Sequence, residues 1–120
     1  MGMDALVDQI KRHPQYDKVG MILCHNGVVR GTSRDGRNVR GLRVAVNYNK
    51  LEDIINQQRE RPGILEILVQ INADRKLQVG DDVMYLVVAG DVRENVLAAL
   101  TDTLNAIKTT VTQKTEFFTE

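Results

Sequence analysis

Arg30, Arg34, Arg37, Arg40 and Arg43 fall within fourteen residues, with no lysine among them. The segment from His25 to Arg43 reads HNGVVRGTSRDGRNVRGLR; it carries four glycines, and Asp35 is its only acid. Guanidinium groups present forked donors that suit phosphate and carboxylate oxygens. Glycines let the backbone approach a ligand closely. Arg30, Arg34 and Arg37 stand at helical spacing, but Gly27, Gly31, Gly36 and Gly41 argue against a stable helix there. Two readings remain open on spacing alone: a solvated hairpin loop kept soluble by charge, or a loop that binds an anion.

Other chemistry is sparse. His13 and His25 are the only histidines, and neither has a carboxylate or thiol at ligand spacing, so no metal site is expected. Cys24 and His25 are neighbours on a strand and point to opposite faces, which removes a Cys/His nucleophilic pair and leaves Cys24 as a small core residue. No Ser-His-Asp set, Walker motif or dinucleotide fingerprint is present. Cations are what remain. Lys108 lies near a helix C-terminus, at the edge of an apolar stripe, where the helix dipole also favours a positive charge. Arg93 falls inside the apolar stripe on a helical wheel and in the first turn, where a cation opposes the dipole. That placement suggests an anion or a partner chain as its counterpart. Lys114, between Gln113 and Thr115, says little by itself.

The elements that position these residues follow from periodicity. Met3, Leu6, Val7 and Ile10 predict a helix over Met3 to Arg12, ended by Pro14. Val19 to His25 is an apolar run of strand length, and Leu42 to Val46 alternates as a half-buried strand. Leu51, Ile54 and Ile55 mark a helix over Lys50 to Arg61, closed by Pro62-Gly63. Ile64 to Ile71 reads as a strand, Asn72 to Lys76 as a turn, and Asp81 to Ala89 as a central strand covered on both faces. Asp91 and Glu94 suggest a capping box before the stripe Val92, Val96, Leu97, Leu100, Leu104 and Ile107. Thr109 to Phe118 suits a final strand. The order α-β-β-α-β-β-α-β predicts an α+β fold, a largely antiparallel sheet with helices packed on one face.

At 120 residues the chain is expected to be one domain, residues 1–120, of a size that dimerisation would help. Zero formal net charge gives no footprint for nucleic acid. No apolar run approaches 18 residues, so no membrane association is expected, and a lone cysteine fits a reducing, cytoplasmic setting.

Taken together, the positions resemble the large (catalytic) subunit of molybdopterin synthase. Gly27-Val28-Val29-Arg30 is similar to that family's G-x-V-R, and Leu77-Gln78-Val79-Gly80-Asp81-Asp82-Val83 to its L-x-x-G-D-x-V. Arg93 to Ala99 runs along its H-R-x-x-A-F-x-A, Leu104 to Lys108 along I-D-x-x-K, and Lys114-Thr115-Glu116 along K-x-E. Val92 stands where the family has a histidine, and the stretch from Lys108 to Lys114 is one residue shorter. The resemblance implies an α/β-hammerhead-like fold and a homodimer within a heterotetramer. The implied partner is a small ubiquitin-like sulfur-carrier subunit ending in a Gly-Gly thiocarboxylate, and the substrate is a pterin phosphate, cyclic pyranopterin monophosphate. It further implies sulfur transfer to that substrate in molybdenum cofactor biosynthesis, with no resident cofactor. By the same carry-over Lys108 and Lys114 are catalytic, while Arg30 and Arg93, with Arg34 and Arg37 from the loop, bind the substrate. The alternative is a non-catalytic homologue that dimerises and binds the small partner or an anion.

Overall fold

A computed structural model describes residues 2–119. In chain order it contains α1 (Met3–Lys11), a 3-10 turn (Tyr16–Lys18), β1 (Met21–Val28), β2 (Val39–Val46), α2 (Tyr48–Arg59), β3 (Ile64–Ile71), β4 (Leu77–Gln78), β5 (Asp82–Gly90), α3 (Arg93–Ala106), a π-helical segment (Ile107–Val111) and β6 (Thr112–Phe118). The α+β class is as expected. The strands divide into two antiparallel sheets of three, ordered β1-β5-β3 and β4-β2-β6.

The first sheet is built on β5. Leu86, Val87, Val88 and Ala89 are all fully buried because both faces are covered. Leu6 and Ile10 of α1 pack with Leu68, Val87 and Ala89. Val96 and Ala99 of α3 pack with Ile67, Leu86 and Val88 on the opposite face. Helices therefore lie on both faces of this sheet rather than one. In β1, Cys24 is exposed and does not join the core. Its register partner is Val87, on the α1 side, but among the residues of that side of β1 it is Ile22 that the helix packs against.

Helix α2 spans Tyr48–Arg59 rather than Lys50 to Arg61, and both ends of the α3 run also differ from expectation for local reasons. The N-cap of α3 is Val92, with no side-chain cap. Asp91 Oδ1 instead accepts from Val92 N (2.6 Å) and from Asn95 Nδ2 (2.9 Å), while its own amide donates to Gly63 O (2.8 Å). Gly63 has φ +80, and a Cβ there would lie 2.3 Å from Asp91 Oδ1, so only glycine fits the junction. At the other end, Thr109 to Val111 continue the helix as a π turn instead of opening β6. Thr109 Oγ1 donates to Asn105 O (2.9 Å) and Thr110 Oγ1 to Ala106 O (2.7 Å), while Ile107 and Val111 are buried one turn apart. Hydroxyls that bond back to helix carbonyls hold such a turn.

The buried line of α3 is Val96, Ala99 and Thr103, leading to Ile107. Leu97 and Val92, expected on the stripe, are exposed. Small residues let the helix approach the sheet closely. Thr103 is fully buried, and its Oγ1 has no hydrogen-bond partner among the described residues. Thr103→Val, which removes the stranded hydroxyl at constant shape, should stabilise the fold by about 1 kcal/mol in chemical denaturation. A loss of stability in that variant would show that the hydroxyl is satisfied.

Candidate functional site

A cavity of about 500 Å³ opens where the two sheets meet. Its floor is apolar, with Val29, Leu42, Val44, Ile71, Val83, Met84 and Ile107 contributing. Four cations come to its walls: Arg30 and Arg34 from the β1–β2 loop, Lys108 from the π segment and Lys114 from β6. One acid, Glu116, and one imidazole, His25, join them. Register explains the grouping. Leu42 lies opposite Glu116 and Val44 opposite Lys114, so alternate residues of β2 and β6 share the cavity face. The turn that carries Lys108 sits directly before β6, and buried Ile107 and Val111 fix it in place.

The loop is tied by its own bonds. A bridge between Thr32 and Asn38 closes it, Ser33 N donates to Arg37 O (2.9 Å), and Gly36 takes φ +88 at the tip. Ser33 Oγ donates to Asp35 Oδ1, and Arg37 Nε meets Asp35 Oδ2 at 3.1 Å. The Ser33 hydrogen bond, with the backbone and charge of Arg37, holds the Asp35 carboxyl below its ordinary range. Arg37 also lies over the Phe118 ring at 3.7 Å, a cation–π contact. The five arginines thus divide by task. Arg37 fastens the loop, Arg43 Nη2 donates to Asp74 O (3.0 Å) and Arg40 is exposed on β2. Arg30 and Arg34 are left at the cavity. Arg30 Nε donates to Thr32 O (2.7 Å), which fixes the stem of the guanidinium.

Lys114 has a partner, Glu116, at 3.8 Å. Lys108 makes no ion pair among the described residues. Arg93 lies elsewhere: it opens α3, is exposed, and meets Glu94 at 3.5 Å. The structure therefore brings together Arg30, Arg34, Lys108 and Lys114, and leaves Arg37 and Arg93 outside the cavity. Such a ring over an apolar floor can clamp an oxyanion, seat a flat ring beneath it, and supply protons from ammonium groups.

Residues 3–110 match the MoaE protein family. The chain belongs to the MoaE family. Solved structures agree in fold. Molybdopterin synthase from Staphylococcus aureus superposes with a TM-score of 0.74 at 21% identity, over 91% of this chain and 86% of that one. Molybdopterin cofactor biosynthesis protein E from Burkholderia multivorans ATCC 17616 gives 0.77 at 22%, over 99% and 82%. The complex of subunits 1 and 2 of molybdopterin-converting factor from Helicobacter pylori 26695 gives 0.71 at 15%, over 100% and 85%. No curated protein matches the chain significantly. Among the described residues of this MoaE chain, no helix is long and apolar enough to cross a membrane.

Sequence reasoning missed two members of the MoaE cavity. Glu116 was legible as the acid two residues from Lys114 on one strand, which places both on one face. His25 was weighed only as a metal ligand or a partner of Cys24. It is partly buried, and burial, then the charge of Lys108, hold its pKa below the ordinary imidazole value. The ring is therefore neutral at pH 7. In Lys108→Ala the His25 pKa, followed by NMR of the imidazole, should rise toward the ordinary value without reaching it, because burial persists. An unmoved pKa would mean that the two residues do not share the cavity.

Proposed function

We propose that this chain is the large subunit of a molybdopterin synthase, acting as one domain in the cytoplasm. It would take sulfur from the C-terminal thiocarboxylate of a small ubiquitin-like partner and deliver it to cyclic pyranopterin monophosphate. The observation that carries the reading is the convergence of Arg30, Arg34, Lys108 and Lys114 on one apolar-floored cavity in a MoaE-family fold. The Helicobacter pylori relative is a complex of two subunits, which supports a small partner here.

The chemistry suits the residues. Arg30 and Arg34 hold the phosphate, and the apolar floor receives the pterin. As sulfur bonds to a carbon of the substrate, that carbon's bond to oxygen breaks and the oxygen leaves as a hydroxyl or phosphate oxygen. Water then attacks the acyl carbon, the acyl–sulfur bond breaks, and the small partner departs as a carboxylate. Charge develops on oxygen and sulfur during these steps. Lys108 stabilises it as the one cavity lysine with no acid partner among the described residues, and serves as proton donor. Lys114, tethered to Glu116, orients the ligand and takes a secondary part.

Arg93 enters this scheme through a second copy of the chain. It is fifteen residues from Lys108 along one helical run, about 22 Å at the usual rise, too far for one pterin phosphate to touch both. Leu97, one turn on from Arg93 and exposed, together with exposed Val92, offers an apolar surface for a homodimer contact. Arg93 of one copy would then complete the cavity of the other. Against catalysis stands Val92 at the place of the family histidine, which favours the second reading, a non-catalytic homologue that binds the small partner.

Reconstitution with a thiocarboxylated small subunit and the cyclic pterin phosphate tests both readings. Dithiolene product should form with the natural chain, and Lys108→Ala should abolish it while folding normally. Partner binding without turnover by the natural chain would select the scaffold reading. A separate mixing experiment addresses the shared site. Arg93→Ala and Lys108→Ala chains, each inactive alone, should recover about a quarter of normal turnover after subunit exchange, the share of intact sites in randomly mixed two-fold dimers. No recovery after verified exchange would exclude a site shared between copies.

A further inference from the structure

The sulfur-transfer scheme leaves His25 without a task. Its Nε2 is shut off from solvent and has no hydrogen-bond partner among the described residues. Gly27 lies alongside without a side chain to offer, since even a Cβ there would stand 3.6 Å from Nε2 as a plain carbon contact. A nitrogen so placed carries a bare lone pair more readily than a stranded N–H, which leaves the ring proton on Nδ1. Around the ring, the cavity presents Arg30 and Arg34 from the loop, Lys108 from the π segment, and Lys114 and Glu116 from β6. Four positive groups against one negative oppose a fifth positive charge. That opposition lasts only while the cavity lacks an anion.

We propose that His25 couples oxyanion binding in this cavity to proton uptake. When an oxyanion settles among Arg30, Lys108 and Lys114, a proton joins Nε2 of the imidazole, and the anion's negative charge across the cavity stabilises the imidazolium without touching Nε2. This rests on the cavity being an oxyanion site and is independent of sulfur transfer. The direction of linkage follows. The empty cavity keeps His25 neutral, through burial and then Lys108, and a bound negative charge favours the protonated ring. The liganded protein thus binds the extra proton at pH values where the empty protein does not. Affinity should strengthen as pH falls through the liganded pKa and level off below the unliganded one.

Sodium sulfate is a suitable probe, since its charge stays fixed across the histidine range, with sodium chloride at equal ionic strength as the blank. NMR of the two imidazoles reports the outcome, with His13 as internal reference because its Nδ1 already accepts from Gln15 N at 3.0 Å. Sulfate should raise the His25 pKa and leave the His13 signals, outside the cavity, where they stand in sodium chloride. Sulfate affinity should gain at most about tenfold per pH unit, the limit for one proton. His25→Gln should bind sulfate with a flat pH profile. His25→Leu should also be flat, and weaker than the natural chain at the acid end by the factor that the natural chain gains on protonation. A parallel arm uses a peptide ending in a Gly-Gly carboxylate. If only the peptide moves His25, the coupled oxyanion is a chain terminus; if sulfate does, it is a tetrahedral group. If either ligand binds with His25 unmoved and affinity independent of pH, the coupling is refuted while the oxyanion site survives. If neither binds, both fail.

Discussion

Everything in this fold is arranged around the double burial of β5. A strand flanked by β1 and β3 has its hydrogen bonds taken on both edges, and residues from Leu86 to Ala89 have no access to water on either face. Burying such a run is the main favourable term available to a chain with few aromatics. It also dictates where helices go. α1 must cover one face, and α3 with α2 the other. Once α3 is laid down with Ala99 and Thr103 against the sheet, its C-terminal turn is carried to the mouth of the second sheet. The position of Lys108 is therefore a by-product of core packing one sheet away.

The second sheet meets a different constraint, that of holding cations close together without an anion. The chain distributes the problem. Asp35 and Phe118 take Arg37, a backbone carbonyl takes Arg43, and Glu116 takes Lys114. What remains at the cavity is a small excess of positive charge borne by Arg30, Arg34 and Lys108. That excess is a standing electrostatic cost in the empty protein, and it becomes attraction once a negative group enters. Keeping His25 uncharged limits the cost further.

Much of this was legible in the sequence, and the failures have particular causes. The strands Ile64–Ile71 and Asp82–Gly90 were readable because β-branched runs have few alternatives, and the cavity cations were readable as residue types suited to an anion. The α2 start was missed because Asn47, whose Oδ1 accepts from Lys50 N, was not weighed as a cap. The division into two sheets depends on long-range pairing of β2 with β6, which no local pattern encodes. Threonines after Lys108 suggested a strand by propensity, yet their hydroxyls found helix carbonyls nearby, and tertiary burial of Ile107 and Val111 decided the matter. Arg93 was readable as misplaced but not as exposed, because the expected stripe ran through Leu97, Leu100 and Leu104, whereas the buried line runs through Val96, Ala99 and Thr103. His25 could be understood only with the three-dimensional neighbour Lys108 in view.

The pairing of β2 with β6 sets an order of events. Val44 and Lys114 lie seventy positions apart, whereas β3 and β5 are joined by a short excursion. Contacts that close long loops are entropically costly to make and tend to form after local ones. The β3–β5 pair can therefore consolidate first, while the pairings of β1 with β5 and of β2 with β6 both close long loops. By the same token β6, an edge strand with exposed residues along half its length, is a segment that can detach without disturbing β5. Detachment would remove Lys114, Glu116 and the Phe118 anchor of the arginine loop together. The outer wall of the binding site is thus a peripheral layer, resting on a more deeply buried sheet.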